Sequence, residues 1–347
     1  MERKQRIKNE TGGEWRIGAS LPEIKSTENR SGNTGKEFFM KQKKGKGIQN
    51  LKREWPLHVM LIPAVILLLI FSYLPMVGIV IAFQDFVPSG GMKGFFTSAW
   101  VGLDNFKYVF EMKDFRQVMI NTLVIAIMKI IAGIIVPLIL ALLLNEVRNK
   151  HFKKATQTLI YIPYFLSWVV LGGILVDILS PTDGIVNTFL GLFGHEPVYF
   201  LGSLKTIRGT LIVSEVWKNC GYNMVIFLAA LTGIDQSQYE AARVDGAGYF
   251  KQMLYITLPG ILPQIVLVTV LGMGNILNAG FDQIFNLYSP IVYEKADILD
   301  TFVYRLGMVN LQYSVSTAVG LFKSVISFIL IAVSFTLAKK FANYQIF

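Results

Sequence analysis

The sequence predicts an all-α membrane protein of six transmembrane helices, with a cytoplasmic helix-turn-helix between the fourth and fifth. Three observations predict it. The 347 residues are 53% hydrophobic and only 16% charged, where a soluble domain carries about a quarter charged, and the mean hydropathy is +0.49. Six apolar stretches, at about 58–83, 119–144, 158–179, 208–230, 261–285 and 318–340, each reach the ~20 residues that a helix needs to cross hydrocarbon. A polar insert, "EAARVDGAGYFKQMLYITLPGILP" from Glu240 to Pro263, interrupts the apolar pattern.

Taken in order, residues 1–56 form a basic segment with 14 Lys and Arg against 7 Asp and Glu. Rich in Lys, Glu, Gly, Ser and Asn, it reads as a disordered cytoplasmic tail, solubilising and without a specific role, the alternative being contact with anionic lipid through "KQKKGKG" at 41–47. Met40 offers an alternative start to Met1. The first apolar stretch follows too long a tail for a cleaved signal peptide and reads as an uncleaved span. Residues 57–347 are then a six-span domain. Pro63, Pro75, Pro137 and Pro163 inside spans are tolerated because neighbouring helices satisfy the freed backbone groups.

Charge sets the orientation. With the N-terminus inside, 22 of the 33 Lys and Arg fall on inner segments, 8 on outer segments and 3 (Lys129, Lys218 and Lys323) within spans. The positive-inside rule therefore places both termini in the cytoplasm. Outside, between the first two spans, "GLDNF" at 102–106 reads as loop packing around an Asp104–Asn105 turn, with Leu103 and Phe106 three apart.

Several chemistries are excluded. A single cysteine, Cys220, forbids an internal disulfide, and three scattered histidines give no metal-ligand spacing. There is no G-x-x-x-x-G-K-[ST] loop for nucleotide phosphates. A nucleic-acid role for the basic residues does not fit six spans.

The fourth span carries Glu215, Lys218, Asn219, Tyr222 and Asn223 on one broad face, with Glu215 and Lys218 spaced to pair. The fifth carries Asn275, Asn278, Asp282 and Asn286 at offsets of 3, 7 and 11, one face of a continuous helix. Charges facing lipid are expensive, so both stripes should face a cavity or each other. Asn and Tyr supply donors and acceptors, and Trp168, Trp217, Tyr222 and Phe281 offer flat apolar faces to a ligand. The competing reading is polar glue between helices. Lys129 and Lys323 read as interhelical partners or snorkelling residues.

Between these spans, the insert opens with capping signals, Asp235 with Gln238 or Ser237 with Glu240. A first helix breaks near Gly246, and a second amphipathic piece stops at Pro259 and Pro263. Small residues (Ala241, Ala242, Gly246, Ala247) flanked by Tyr239, Tyr249 and Phe250 suit docking in another protein's groove.

"EAA", three residues, Gly246, nine residues and then "ITLP" resembles the EAA motif of permease subunits of bacterial binding-protein-dependent ABC importers. Asp245, Ala247 and Pro263 extend the match toward the carbohydrate-uptake, maltose-type branch. "YLPMVGIVIAFQDF" (73–86), "WKNCGYNMVIFLAAL" (217–231) and "NAGFDQIFNLYSPIVYEKADILDTFVYRLG" (278–307) resemble its polysaccharide and oligosaccharide permeases. The likeness covers the chain after about residue 55.

The resemblance implies the ABC type I importer permease fold in a bacterial cytoplasmic membrane. This chain would form half of an oligosaccharide pathway beside a second, non-identical permease, fed by an extracellular solute-binding protein. It implies no enzymatic activity here and no cofactor in this chain, ATP and Mg being bound by two separate ATPase subunits. Segment 235–260 would be the ATPase-coupling loop, with Glu240, Ala241, Ala242, Asp245, Gly246, Ala247 and Pro259 at the contact and Glu240 approaching a basic residue of the ATPase. The alternatives are a stand-alone secondary transporter, whose duplicated halves are not visible here, and an intramembrane enzyme, for which no nucleophile–base pair appears.

Overall fold

The computed structural model describes residues 46–342, in two units that divide at Ser72 and Tyr73. The alternative of lipid contact at 41–47 and the choice between Met1 and Met40 lie outside the described residues, save for the last two positions of that basic run.

In the first unit, helix α1 (Lys46–Leu68) carries Pro56 and Pro63 inside it. It begins ahead of the expected tail boundary at 56, so the residues from Lys46 on are helical rather than tail. The helical run Trp55–Phe83 is long and apolar enough to cross a membrane, with mean hydropathy 2.7.

The second unit opens with a 3-10 run (Leu74–Phe83) and a two-stranded antiparallel ribbon, β1 (Gln84–Asp85) on β2 (Ala99–Trp100). Helix α2 (Asp104–Glu111) follows. Asn105 anchors "GLDNF", its Nδ2 donating to the Ala82 and Gln84 carbonyls at 3.0 Å, while Phe106 packs on Phe83 with ring centroids 5.4 Å apart. Leu103 is instead exposed, because Asp104 starts a helix and turns that side chain outward.

The frame is set by α3 (Lys113–Glu146) and α6 (Ile207–Thr232), which pack on each other over much of their length. Between them run α4 (Lys150–Tyr161) and α5 (Trp168–Ile178). After α6 come α7 (Gln236–Val244), α8 (Leu262–Gly274), α9 (Phe281–Leu287), α10 (Leu299–Tyr304) and α11 (Tyr313–Ala342). Among the described residues, Lys113–Glu146 and Tyr313–Thr336 also qualify individually as spans, and two bent helix pairs pass the same test together. At 26 residues α6 reaches about 39 Å, though it carries both Glu215 and Lys218.

Two expected spans are not single helices. The stretch at 158–179 bends by 106° between Lys150–Phe165 and Trp168–Ile178. Pro163 removes a backbone donor there, and the Ser167 side chain caps the new helix by accepting from the Val170 N–H. The stretch at 261–285 also breaks. Helix α8 ends at Gly274, and Gly280 enters α9 with φ +97, a left-handed conformation that a right-handed helix cannot continue through. Asn275 and Asn278 spend their side-chain amides locally, on the Leu271 carbonyl and the Asn275 side chain, which favours a turn over a helix.

Dry clusters sit at two levels of the frame. One gathers Ala141, Leu144, Met224, Phe227, Leu231 and Ile261 near the α6–α7 junction. The other gathers Ile125, Leu171, Ile207, Leu211, Ala279 and Ile284. Between these levels α6 carries Glu215, Lys218, Asn219, Tyr222 and Asn223, and α3 carries Lys129 and Gly133 among apolar residues. Between two members of the second cluster, Ala296 and Ile298, Asp297 is buried and accepts from Arg305 (2.5 Å) and Thr301 (2.7 Å). Burial pushes that carboxyl above the usual carboxylate range, against the lowering effect of both donors.

Candidate functional site: an exposed hinge and a polar cavity

The hinge comes from local chemistry. Asp235 caps α7, its carboxylate accepting from the Ser237 N–H (3.0 Å) and hydroxyl (2.7 Å). Those two bonds hold its pKa below the ordinary value. Of the two capping boxes expected, neither reciprocal pair forms, and Ser237 serves Asp235 instead. Glu240 is thereby left exposed, with no hydrogen-bond partner among the described residues.

Helix α7 ends at Asp245, and Gly246 adopts φ +74. The Gly246 N–H donates to Arg243 and the Ala247 N–H to Ala242, at 3.1 and 2.8 Å. This wrap-back satisfies the last carbonyls of the helix. Gln252 then donates to the Ala247 carbonyl at 2.7 Å, and Tyr239 shares a 2.9 Å bond with Thr257, so both arms of the hinge are tied together. The outer surface presents Glu240, Ala241, Asp245 and Gly246, with Val244 88%, Phe250 68% and Tyr255 73% exposed. Ala242 and Ala247 are half-buried, and Pro259 is exposed one residue before the helical run ends at Gly260. All seven residues expected at a coupling contact thus lie on one hinged segment.

The second feature is a cavity of about 550 Å³ walled by α3, α6, α8 and the turn after α8. Six of the nine residues read as pathway residues line it: Glu215, Asn219, Tyr222, Asn223, Asn275 and Asn278. Asn275 and Asn278 arrive there on the turn rather than on a helical stripe. The other three lie elsewhere. Asp282 is exposed in the first turn of α9, and Asn286 packs against Gly172, where an added Cβ would meet it at 3.1 Å.

Lys218 is the third. It does not pair with Glu215, because its ammonium is turned to the helix break, donating to the carbonyls of Pro163 (3.5 Å), Tyr164 (2.9 Å) and Leu166. The Pro163 carbonyl also accepts from the Leu166 N–H at 3.2 Å, whereas the Tyr164 and Leu166 carbonyls at the break depend on the buried cation for their satisfaction. Glycine one turn on makes the approach close: a Cβ at Gly221 would lie 2.6 Å from the Ile160 carbonyl oxygen.

Glu215 is partnered from its own helix and from across the bundle. Its Oε1 accepts from Asn219 at 2.6 Å, and its Oε2 lies 3.6 Å from the Lys129 ammonium. Lys323 likewise pairs with Asp300, so both span lysines act between helices. Tyr164, unremarked in the sequence, stacks on Tyr222 at 4.9 Å and 7° beside the cavity. Of the four aromatic faces expected, only Tyr222 lines it: Trp168 packs on the dry cluster and Phe281 stacks on Phe285. "YIPYF" carried the missed signal, since a proline-broken helix end aims the next ring inward.

The wall therefore offers amides, a phenol and an aromatic face, with one paired charge couple. No group of three or more His, Cys, Asp or Glu close enough to hold a metal occurs among the described residues.

A membrane-embedded helical frame, an exposed hinged insert and a polar cavity are the features of a transport component. The chain belongs to the family described as binding-protein-dependent transport system inner membrane component, whose model matches residues 133–343. This is a family of transport subunits rather than enzymes, and membership decides against the stand-alone carrier and the intramembrane enzyme. The chain is 42% identical over 306 residues to Protein LplB of Bacillus subtilis, spanning 87% of this chain and 95% of that protein. It is 41% identical over 310 residues to the polygalacturonan/rhamnogalacturonan transport system permease protein YteP of the same organism, spanning 89% and 96%. A bacterial ABC transporter involved in importing the acidic polysaccharide alginate contains a chain that superposes with TM-score 0.77 at 36% identity, over 84% of this chain and 98% of that one. The fold is that of a type I importer permease.

Proposed function

We propose that this chain forms one wall of a saccharide pathway in an ATP-driven importer of a bacterial cytoplasmic membrane. The observation that carries the proposal is the convergence of Glu215, Asn219, Tyr222, Asn223, Asn275 and Asn278 on one cavity. Hydroxyl-rich ligands need many donors and acceptors together with a flat apolar face, and these side chains with the Tyr164–Tyr222 stack supply both. The names of the relatives support a sugar cargo: one is a polygalacturonan/rhamnogalacturonan transport system permease, and another transporter was solved with an alginate pentasaccharide-bound periplasmic protein.

In this reading the stretches at about 158–179, 208–230 and 261–285 cross the bilayer with the three straight spans, giving six crossings with both termini inside. Residues 235–260 lie on the cytoplasmic face and dock on one of two ATPase subunits, which bind ATP and Mg. A second, non-identical permease completes the pathway, and an external binding protein delivers the oligosaccharide. Reconstitution of the complete importer in proteoliposomes tests this. Asn278→Ala should lower uptake of a labelled oligosaccharide while the complex assembles normally; unchanged uptake in Asn278→Ala and Asn223→Ala alike would remove the pathway assignment.

A further inference from the structure

Lys129 stands apart from the other cavity residues. It lies within a span, yet its side chain is 9% exposed, and a buried ammonium persists only with well-placed partners. The partners come from two other elements. The ammonium donates to the Ala279 carbonyl at 2.6 Å and to the Gln283 side chain, and it faces Glu215 on α6. Gln283 is fully buried and passes the connection on, its Nε2 donating to the Leu211 carbonyl (2.6 Å) and the Ser214 hydroxyl (2.8 Å).

The meeting point is the break between α8 and α9. A Cβ at Gly280 would lie 2.9 Å from the Lys129 ammonium and 3.9 Å from Glu215 Oε2. The missing side chain is therefore the space in which the cation sits. Lys129, Glu215 and Gly280 all line the cavity, and immediately past them Ile125, Leu211 and Ile284 are 0% exposed. The latch thus occupies the end of the cavity farthest from the hinged segment, and it joins α3, α6 and the α8–α9 turn at that level.

We propose that Lys129 is the positioning residue of the pathway: gripping the Gly280 break, it sets the turn that carries Asn275 and Asn278 and seals the outer end of the cavity in this conformation. Outward opening then requires the turn and α6 to move apart at this latch. The proposal rests on the transport reading and the orientation given above.

The test uses the complete importer in right-side-out vesicles without ATP. Cys220→Ser removes the native thiol, and Leu271→Cys, on the cavity wall, reports access of a membrane-impermeant maleimide from outside. Lys129→Met should raise labelling about tenfold, the response to ~1.4 kcal/mol removed from the sealed side of a two-state equilibrium. Gly280→Ala keeps every charge and places a methyl where the ammonium sits, so it should raise labelling as well, and it carries the test should Lys129→Met fail to assemble. Labelling unchanged in the assembled variants overturns the latch. Oligosaccharide uptake by the unaltered importer is measured alongside: uptake without a labelling change sinks the latch alone, whereas absent uptake sinks the transport reading.

Discussion

Gly246 allows the coupling role to be tested by a graded series. A Cβ built at this position meets nothing within 4 Å, so substitution acts through the backbone alone. At φ +74 an ordinary L-residue is disfavoured by about 1–2 kcal/mol, while Asn tolerates the region better. Proline is locked near φ −65 and would also delete the N–H that donates to the Arg243 carbonyl, so it cannot form this turn. The expected order is Gly246→Asn nearest to the parent, then Gly246→Ala, then Gly246→Pro, in which the wrap-back onto Ala242 and Arg243 is lost. The assay is substrate-stimulated ATPase activity together with uptake in the reconstituted importer. Gly246→Asn should keep most of both, Gly246→Ala should lose roughly tenfold in coupling, as ~1.4 kcal/mol at the hinge implies, and Gly246→Pro should leave ATP hydrolysis disconnected from transport. Because the site is solvent-exposed, assembly and thermal stability of the spans should change little. Full coupling in Gly246→Pro would refute the hinge argument, and so would Gly246→Asn behaving no better than Gly246→Pro.

Two further outcomes follow from the same geometry. Lys218→Met should lower the thermal stability of the assembled complex, since it strips a donor from the carbonyls of Tyr164 and Leu166, each buried orphan costing about 1–3 kcal/mol. An unchanged melting temperature would show that water satisfies the break. Acidification should loosen α7 specifically: the folded pKa of Asp235 is held below its unfolded value by the Ser237 hydroxyl and N–H, so the cap's contribution is present above the unfolded pKa and is lost as pH falls through the folded one. Relative to the intrinsic exchange rate at each pH, protection of the amides across 236–244 should fall in that acidic range, and Asp235→Ala should show the reduced protection at every pH.

Much of this was legible in the sequence, for definable reasons. The hinge was readable because capping and left-handed glycine are local effects that follow from neighbouring residues, and Gly246 sits where those signals placed it; the second piece, however, runs through Pro259 and breaks at Ile261, just before Pro263. Even so, the identity of the capping partner was misread, because Asp235, Ser237 and Glu240 offer several pairings of similar local merit. The α6 face was readable because α6 is one unbroken helix, so a period of 3.6 holds from Glu215 to Asn223. The second stripe failed for the opposite reason. Hydropathy does not reveal that Gly280 is left-handed, and once the helix breaks there, Asp282 and Asn286 rotate away while Asn275 and Asn278 still reach the cavity. Lys218 and Lys129 show a further limit. Both were recognisable as buried cations needing partners, but their acceptors lie about 52 and 150 positions away in sequence, at Leu166 and Ala279, and only the packed bundle brings them together.

The most direct test of the account is a contact measurement at the hinge in the purified complex. A photo-crosslinking residue in place of the exposed Ala241, activated in the assembled importer, should join this chain to a separate ATP-binding subunit, with the crosslinked peptide identified by mass spectrometry and its yield reduced in Gly246→Pro. Crosslinks running only to lipid, to the external binding protein or to no other chain would contradict it.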